Sequence, residues 1–148
     1  MTIWVDADGC PRVVKELAFR AAQRRKCTVV LVANRPIHTP QNVHITSIVV
    51  SSGADVADDW IAERVETSDL VITADIPLAA RVVEKGATGL NPRGWEYTED
   101  NVRERLSVRD FMTDLRDSGV QTGGSAPFGP KDKQRFANAL DRYISRAR

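Results

Sequence analysis

The sequence predicts an α/β fold with three layers, α/β/α, in which a mainly parallel central sheet is followed by C-terminal helices. Short apolar runs alternate along the chain with segments whose apolar residues recur at helical spacing. One run, Thr28–Ala33, is nearly all apolar, as is typical of a strand covered on both faces. The length of 148 residues suits one domain with a substantial core.

The first ninety residues contain the alternating strands and helices of this predicted core. Residues 3–5 form the first strand, and Pro11 begins a helix that ends in Arg24, Arg25 and Lys26, where cations complement the helix dipole. A proline-containing loop at 34–42 follows the second strand. The remaining elements are strands at 45–50, 70–73 and 87–90 and helices at 55–65 and 77–83.

The second part of the chain differs in character. A turn at 91–94 precedes two short predicted helices, at 99–106 and 108–117, and a Gly/Pro-rich linker covers 119–130. An amphipathic helix at 131–146 follows. We therefore expect a single domain over 1–148, with a core at 1–90 and a helical extension at 91–148.

Composition narrows the classes of protein that remain. Hydrophobic residues make up 42% and charged residues 28%, and no apolar run approaches the roughly 20 residues of a membrane helix. The first residues enter a strand directly, without the basic region of a signal peptide. We expect a cytoplasmic protein that does not bind membranes, whereas the oligomeric state stays open. The net charge of +1 argues against strong non-specific binding to nucleic acid.

Acidic residues follow three of the predicted strands. Asp6 and Asp8 follow the first strand, and Asp75 follows the fourth. The helix after the third strand begins with an acidic cluster made of Asp55, Asp58 and Asp59. Because ligands of open α/β sheets bind outside the carboxyl ends of the strands, these groups are expected to converge there.

Convergent carboxylates point to a divalent cation, because like charges raise each other's pKa values unless a positive charge lies between them. Oxygen ligands without histidine or thiolate suit Mg²⁺ or Mn²⁺. We expect Asp6, Asp55, Asp58 and Asp75 to be the ligands or water-orienting groups, with Asp8 and Asp59 as further candidates. Structural alternatives stay open: Asp6 and Asp8 could form a helix cap or an Asx turn, Asp55 and Asp75 could be helix caps, and Asp59 could be a solvated helix residue.

Longer motifs resemble one family over nearly the whole chain. They comprise 5–11 (VDADGCP), 53–58 (GADVAD), 69–79 (DLVITADIPLA), 85–87 (KGA), 91–94 (NPRG), 109–112 (RDFM) and 115–116 (LR). These residues are similar to the YaiI/YqxD family of bacterial proteins, which is grouped with PIN-like domains. PIN-like nucleases carry an aspartate after the first strand, acids on a central helix and a Thr-x-Asp after the fourth strand. Asp6, Asp55 or Asp58, and Thr73 with Asp75 match those positions.

This resemblance implies a metal-dependent nuclease that cuts RNA or another phosphodiester with Mg²⁺ or Mn²⁺. Asp6 and Asp75 would then be catalytic, and Thr73 would orient a carboxylate or the attacking water. Arg93, Arg109 and Arg116 could bind substrate phosphate, or they could be solvated helix residues paired with neighbouring acids.

Two other functions remain open. The Asp6-x-Asp8 opening, with Thr73 and Lys85, is similar to a haloacid-dehalogenase-type phosphatase that would use Asp6 as its nucleophile. That chemistry requires its second acidic pair after the lysine, however, whereas Asp58-Asp59 precedes it. Alternatively the acidic pocket belongs to a non-catalytic module that binds a metal or a nucleotide. Cys10 lies beside the acidic turn, and we interpret it as a small packing residue.

Overall fold

The computed structural model describes residues 1–53, 55–117 and 127–146, and of residues 109–117 it describes the backbone but not the side chains. The elements are β1 (Thr2–Asp6), α1 (Arg12–Arg25), β2 (Thr28–Ala33), β3 (Ile45–Val49), α2 (Val56–Arg64), β4 (Leu70–Ile72), α3 (Ile76–Glu84), β5 (Thr88–Leu90), β6 (Glu96–Tyr97), α4 (Glu99–Asp117) and α5 (Pro130–Arg146). The predicted α/β class and its mainly parallel sheet are confirmed.

The sheet has six strands in the order β3-β2-β1-β4-β5-β6. The first five are parallel, and β6 pairs with β5 in the antiparallel direction. Strand β1 therefore lies at the centre, where the strand order reverses between β2 and β4. In open α/β sheets this reversal opens a crevice at the carboxyl edge, and residues that directly follow β1 and β4 border it.

Successive side chains of a strand point to opposite faces of the sheet, and a separate core lies on each face. Ile3 and Val5 pack on one face with α1 and α5, where Phe136 is fully buried. Trp4 points to the other face and packs with residues of α2 and α3. A smaller cluster joins α3 to Tyr97 and α4. With helices on both faces, the inner residues of β1, β2 and β4 are apolar, which explains the unbroken run in β2.

The amino edge of the sheet is held by one buried carboxylate. Asp69, which is 4% exposed, accepts hydrogen bonds from the backbone N–H groups of Thr2 (2.9 Å) and Glu66 (2.9 Å) and from the Trp4 indole N–H (3.0 Å). A buried carboxylate with three donors stabilises the surrounding structure. Asp69 is thus a structural acid at the edge opposite Asp6.

Three predicted elements of the second half need correction. The two short helices are one continuous helix, α4; the Ser107 hydroxyl donates to the Arg103 carbonyl (3.2 Å), so this serine does not interrupt the helix. The region after residue 90 is not only helical, because β6 extends the sheet. The linker prediction lies largely outside the described residues, and α5 begins at Pro130, within the expected linker.

Helix α5 packs closely against the turn that follows β5. The Arg93 guanidinium donates to Asp132 Oδ2 at 3.0 Å, and Asp132 also accepts from the Gly129 N–H at 2.9 Å. Gly94 has φ +96°, and a Cβ there would lie 2.5 Å from the Arg135 carbonyl carbon. Only glycine permits both this backbone conformation and this close approach.

Candidate acidic site

Asp6, Asp58 and Asp75 reach the carboxyl edge of the sheet from three elements. Asp6 is the last residue of β1, Asp75 is the N-cap of α3 directly after β4, and Asp58 lies in the first turn of α2. Because β1 and β4 are adjacent and parallel, their ends bring Asp6 and Asp75 together. The sequence prediction placed these groups at this edge for the same reason.

The Thr73 hydroxyl links two of these carboxyl groups. Its Oγ1 donates to Asp6 Oδ2 (2.8 Å) and accepts from the backbone N–H of Asp75 (2.9 Å). Asp75 Oδ1 in turn accepts from the Leu78 N–H (3.0 Å) and caps α3. Thr73 is 1% exposed, so its hydroxyl cannot exchange these partners for bulk water. One oxygen of Asp6 and one oxygen of Asp75 are therefore held in defined directions.

Burial and mutual repulsion raise the pKa values of two of the acids. The pKa of Asp6 rises to about 6: burial is the main cause, Thr73's hydrogen bond opposes it, and the charges of Asp75 and Asp8 add to it. The pKa of Asp58 rises to about 7 through burial, through the charges of Asp75, Asp6 and Asp55, and through a hydrogen bond shared with Asp75. These carboxyl groups thus form one electrostatic unit that holds a proton near neutral pH.

The other predicted aspartates occupy different surroundings. Asp8 Oδ2 accepts from the Asn34 backbone N–H at 2.8 Å, which joins the acidic turn to the loop after β2. Asp59 forms an ion pair with Arg81 of α3. Asp55 is exposed, has φ +66° and makes no capping hydrogen bond through its side chain, although its charge acts on Asp58. The central group is therefore Asp6, Asp58 and Asp75, with Asp8 and Asp55 at its margin.

A buried polar pair, Tyr97 of β6 and Asn91, supports the site and was not predicted from the sequence. The Tyr97 hydroxyl donates to the Thr73 carbonyl (2.9 Å) and lies 3.0 Å from Asn91 Nδ2, which donates to it. Burial raises the pKa of Tyr97, so its hydroxyl stays a donor. An unpredicted strand carries Tyr97, and only the pairing of β6 with β5 brings this side chain beneath Thr73.

A cavity of about 310 Å³ opens at Asp6 and Asp75, and Asp58 is not among its lining residues. It is lined by Asp6, Asp8, Gly9, Cys10, Ala74, Asp75 and Pro92. Burial raises the pKa of the Cys10 thiol to about 12, so this cysteine is a poor nucleophile at neutral pH. The cavity is thus acidic, and the thiol beside it is a packing residue.

Of the three predicted phosphate-binding arginines, Arg93 is the one whose side chain is described, and it does not line this cavity. Arg93 pairs with Asp132, and its guanidinium carbon lies 6.0 Å from the Phe128 ring centroid. The side chains of Arg109 and Arg116 lie outside the described part of the chain. Trp95 contacts Tyr97 edge-on, with ring centroids 4.5 Å apart, and the Arg105 guanidinium lies 4.1 Å from the Trp95 ring centroid.

The donor set suits a hard divalent cation by its chemistry. Asp6, Asp58 and Asp75 offer only carboxylate oxygens, which favour Mg²⁺ or Mn²⁺ over zinc. Among the residues described, however, no three His, Cys, Asp or Glu side chains are already arranged to enclose an ion. Because carboxyl groups bind a cation in their ionised form, the raised pKa of Asp58 makes cation binding at this group dependent on loss of its proton.

Comparisons with known proteins agree with the motif resemblance. Residues 4–146 match the model of a family described as "Uncharacterized BCR, YaiI/YqxD family". A "UPF0178 protein" of Yersinia pestis (strain Pestoides F) and another of Yersinia pseudotuberculosis serotype O:3 (strain YPIII) are each 57% identical over 148 residues, covering 100% of this chain and 97% of each relative. No solved structure gives a significant match. Across the described helices, none is both long and apolar enough to cross a membrane.

Proposed function

This chain belongs to the YaiI/YqxD family, and we propose that it is a metal-dependent phosphodiesterase in which Asp6, Asp58 and Asp75 hold Mg²⁺ or Mn²⁺. The resemblance to PIN-like nucleases favours RNA as the substrate. The observation that carries this proposal is the convergence of three carboxyl groups at the carboxyl edge of the sheet, where burial, and to a lesser extent their mutual repulsion, raises the pKa of Asp6 to about 6 and that of Asp58 to about 7.

A cluster of carboxyl groups destabilises the folded state unless the cluster binds a ligand. An aspartate used as a cap or as a buried acceptor is stabilised by its donors, as Asp69 is, and gains nothing from further acids beside it. Asp58 instead lies 9% exposed against two other carboxyl groups. A divalent cation would replace the shared proton and turn repulsion into attraction, which is the relationship found in metal sites.

The neighbouring groups suit the proposed chemistry. A bound cation would supply charge neutralisation at the phosphodiester and activation of a water molecule. Thr73 and the Leu78 N–H each hold one carboxylate oxygen, which leaves the second oxygen of Asp6 and of Asp75 for ligation. The Tyr97 hydroxyl fixes the backbone at Thr73 by donating a hydrogen bond to the Thr73 carbonyl. Asp6, Thr73 and Asp75 are therefore the residues whose replacement should affect catalysis most.

The position of Lys85 counts against the phosphatase alternative. That chemistry needs a lysine near the phosphate bound at Asp6. Helix α3 begins at the carboxyl edge of the sheet beside Asp75 and runs away from it, so Lys85 follows its far end. Lys85 Nζ donates to the Ala62 carbonyl at 2.7 Å, at the end of α2.

A Mn²⁺ titration by calorimetry, paired with cleavage of a fluorescent RNA oligonucleotide, tests the proposal. Wild type should bind Mn²⁺ saturably and cut RNA, and Asp6→Asn and Asp75→Asn should each lose at least about a hundredfold in cleavage rate. Asp59→Asn is the matched control, because Asp59 neighbours Asp58 on α2 but pairs with Arg81. It should keep both properties.

Other outcomes identify the alternatives. Saturable Mn²⁺ binding without turnover of any diester would show the non-catalytic module. Hydrolysis of p-nitrophenyl phosphate with a trapped aspartyl-phosphate would show the phosphatase. If wild type and Asp75→Asn respond identically to Mn²⁺, the proposed metal site does not exist.

A further inference from the structure

A groove next to the acidic cavity combines basic side chains with an apolar floor. It lies between the first half of α1 and the loop after β2 and has a volume of about 550 Å³. We call it the α1 groove; its lining is Arg12, Lys15, Glu16, Phe19, Arg35, Pro36, Ile37, His38 and Pro40. This volume falls within the roughly 300–1,000 Å³ typical of small-ligand sites, so the groove is large enough for a nucleotide unit.

The charge of the α1 groove is positive. Arg12, Lys15 and Arg35 contribute three cations, and Glu16 is the one carboxylate among the described lining residues. Glu16 pairs with Arg12 at 3.3 Å, an ion pair on the solvent side where the Arg12 side chain is 91% exposed. The groove therefore attracts anions, in contrast to the acidic cavity beside it.

The floor of the groove is apolar and fixed. Phe19 and Ile37 are partly buried and pack against the main core, so a face of each remains accessible. Pro36 and Pro40 stiffen the opposite wall. Accessible aromatic and apolar surfaces beside cations suit a nucleic-acid strand, because its bases stack while its phosphates meet the positive charges.

The groove and the acidic cavity lie next to each other. Asp8 and Cys10 line the cavity, and Arg12 lines the groove two residues further along the chain. On the other wall, Asp8 accepts from the Asn34 N–H at 2.8 Å, and Arg35 of the groove follows directly. The two spaces are therefore bordered by neighbouring residues of the same two chain segments, although they share no lining residue.

We infer that the α1 groove binds the flank of a single-stranded polynucleotide whose scissile phosphodiester lies at the acidic cavity. This inference rests on the proposed function, and it adds the strandedness of the substrate and the residues that hold it. Arg35 and Lys15 contact its phosphates, and Phe19 carries a base. An acidic peptide would use the same cations but would leave the stacking surface without a partner.

Fluorescence anisotropy with a fluorescein-labelled oligouridylate of about twelve nucleotides tests this binding in EDTA. Arg35→Glu and Lys15→Glu should each raise the Kd at least about fivefold. Each should also reduce the slope of log Kd against log salt concentration by about one, as expected for the loss of one phosphate contact. Arg20→Glu makes the same charge change on an exposed position of α1 outside the groove, and should raise the Kd less than about twofold. Arg35→Gln provides a second, milder variant in the loop.

Every result bears on the inference. Absence of saturable binding by the wild-type protein would overturn it, as would equal losses in Arg35→Glu and Arg20→Glu, which indicate diffuse attraction. Tighter binding of a phosphorylated acidic peptide than of the oligonucleotide would assign the groove to a protein partner instead. Because EDTA removes divalent cations, oligonucleotide binding is measured separately from the metal-dependent cleavage of the proposed function.

Discussion

Replacing Asp58 by asparagine is expected to stabilise the metal-free protein at neutral and higher pH. Asp58 is 9% exposed and lies against Asp75 and Asp6, so its ionised form is unfavourable in the folded state. Asparagine has nearly the same shape, keeps a hydrogen-bonding group toward Asp75 and carries no charge. This substitution should therefore remove the repulsion without leaving a cavity.

The sign and size of the expected change in unfolding free energy follow from the pKa of Asp58, which rises from 3.8 to about 7. Because the folded state holds the proton more tightly, stability falls as the pH rises from about 4, and the loss is complete above about 7. At about 1.4 kcal/mol per pH unit, the full loss is about 4 kcal/mol. A buried asparagine side chain keeps part of the desolvation cost, so we expect Asp58→Asn to gain about 2 kcal/mol at about pH 8 and less than about 1 kcal/mol at about pH 5.

Urea unfolding in EDTA, followed by circular dichroism across that pH range, measures this difference. Asp59→Asn is again the control: it removes a partly exposed ion pair with Arg81, whose contribution is at most about 1 kcal/mol. Addition of Mn²⁺ should stabilise wild type more than Asp58→Asn, because the variant lacks a ligand. A variant that is less stable than wild type at about pH 8, or a difference that does not change with pH, would refute the reasoning.

Three further substitutions test other contacts. Thr73→Val removes the hydroxyl that donates to Asp6 and should weaken Mn²⁺ binding about tenfold in calorimetry, whereas Thr73→Ser should retain it. Asp69→Ala leaves three donors without their acceptor and should lower the urea-derived unfolding free energy by about 3 kcal/mol. Gly94→Ala, which meets the backbone of α5, should lower the melting temperature far more than Gly9→Ala, where a Cβ has open space and the cost is about 1 kcal/mol; equal shifts would contradict this account.

The parallel core could be predicted because both of its signals are local. The apolar run of β2 and the helical spacing in α1 each follow from burial of their own side chains. The convergence of Asp6 and Asp75 followed from a topological rule, since both directly succeed parallel strands. Their roles in metal binding and catalysis stay predictions.

The features that could not be predicted from the sequence depend on contacts between residues that are far apart in the chain. Strand β6 is two residues long and exists only through its pairing with β5, so Tyr97 could not be assigned to the site. Asp59 and Asp58 are adjacent, and helical spacing alone placed both near the cluster. In the structure, Asp59 forms an ion pair with Arg81 of α3, whereas Asp58 is buried.

The packing of α5 has a consequence for biosynthesis. Phe136 lies in the same core as Ile3 and Val5, far away in the chain. A nascent polypeptide cannot finish this core until the ribosome has passed α5, so the apolar face of β1 is covered only in part, by α1, for most of translation. This long-range closure predicts that the native state is reached only late, and that chains interrupted before α5 are recognised by chaperones or proteases rather than persisting as smaller folded units.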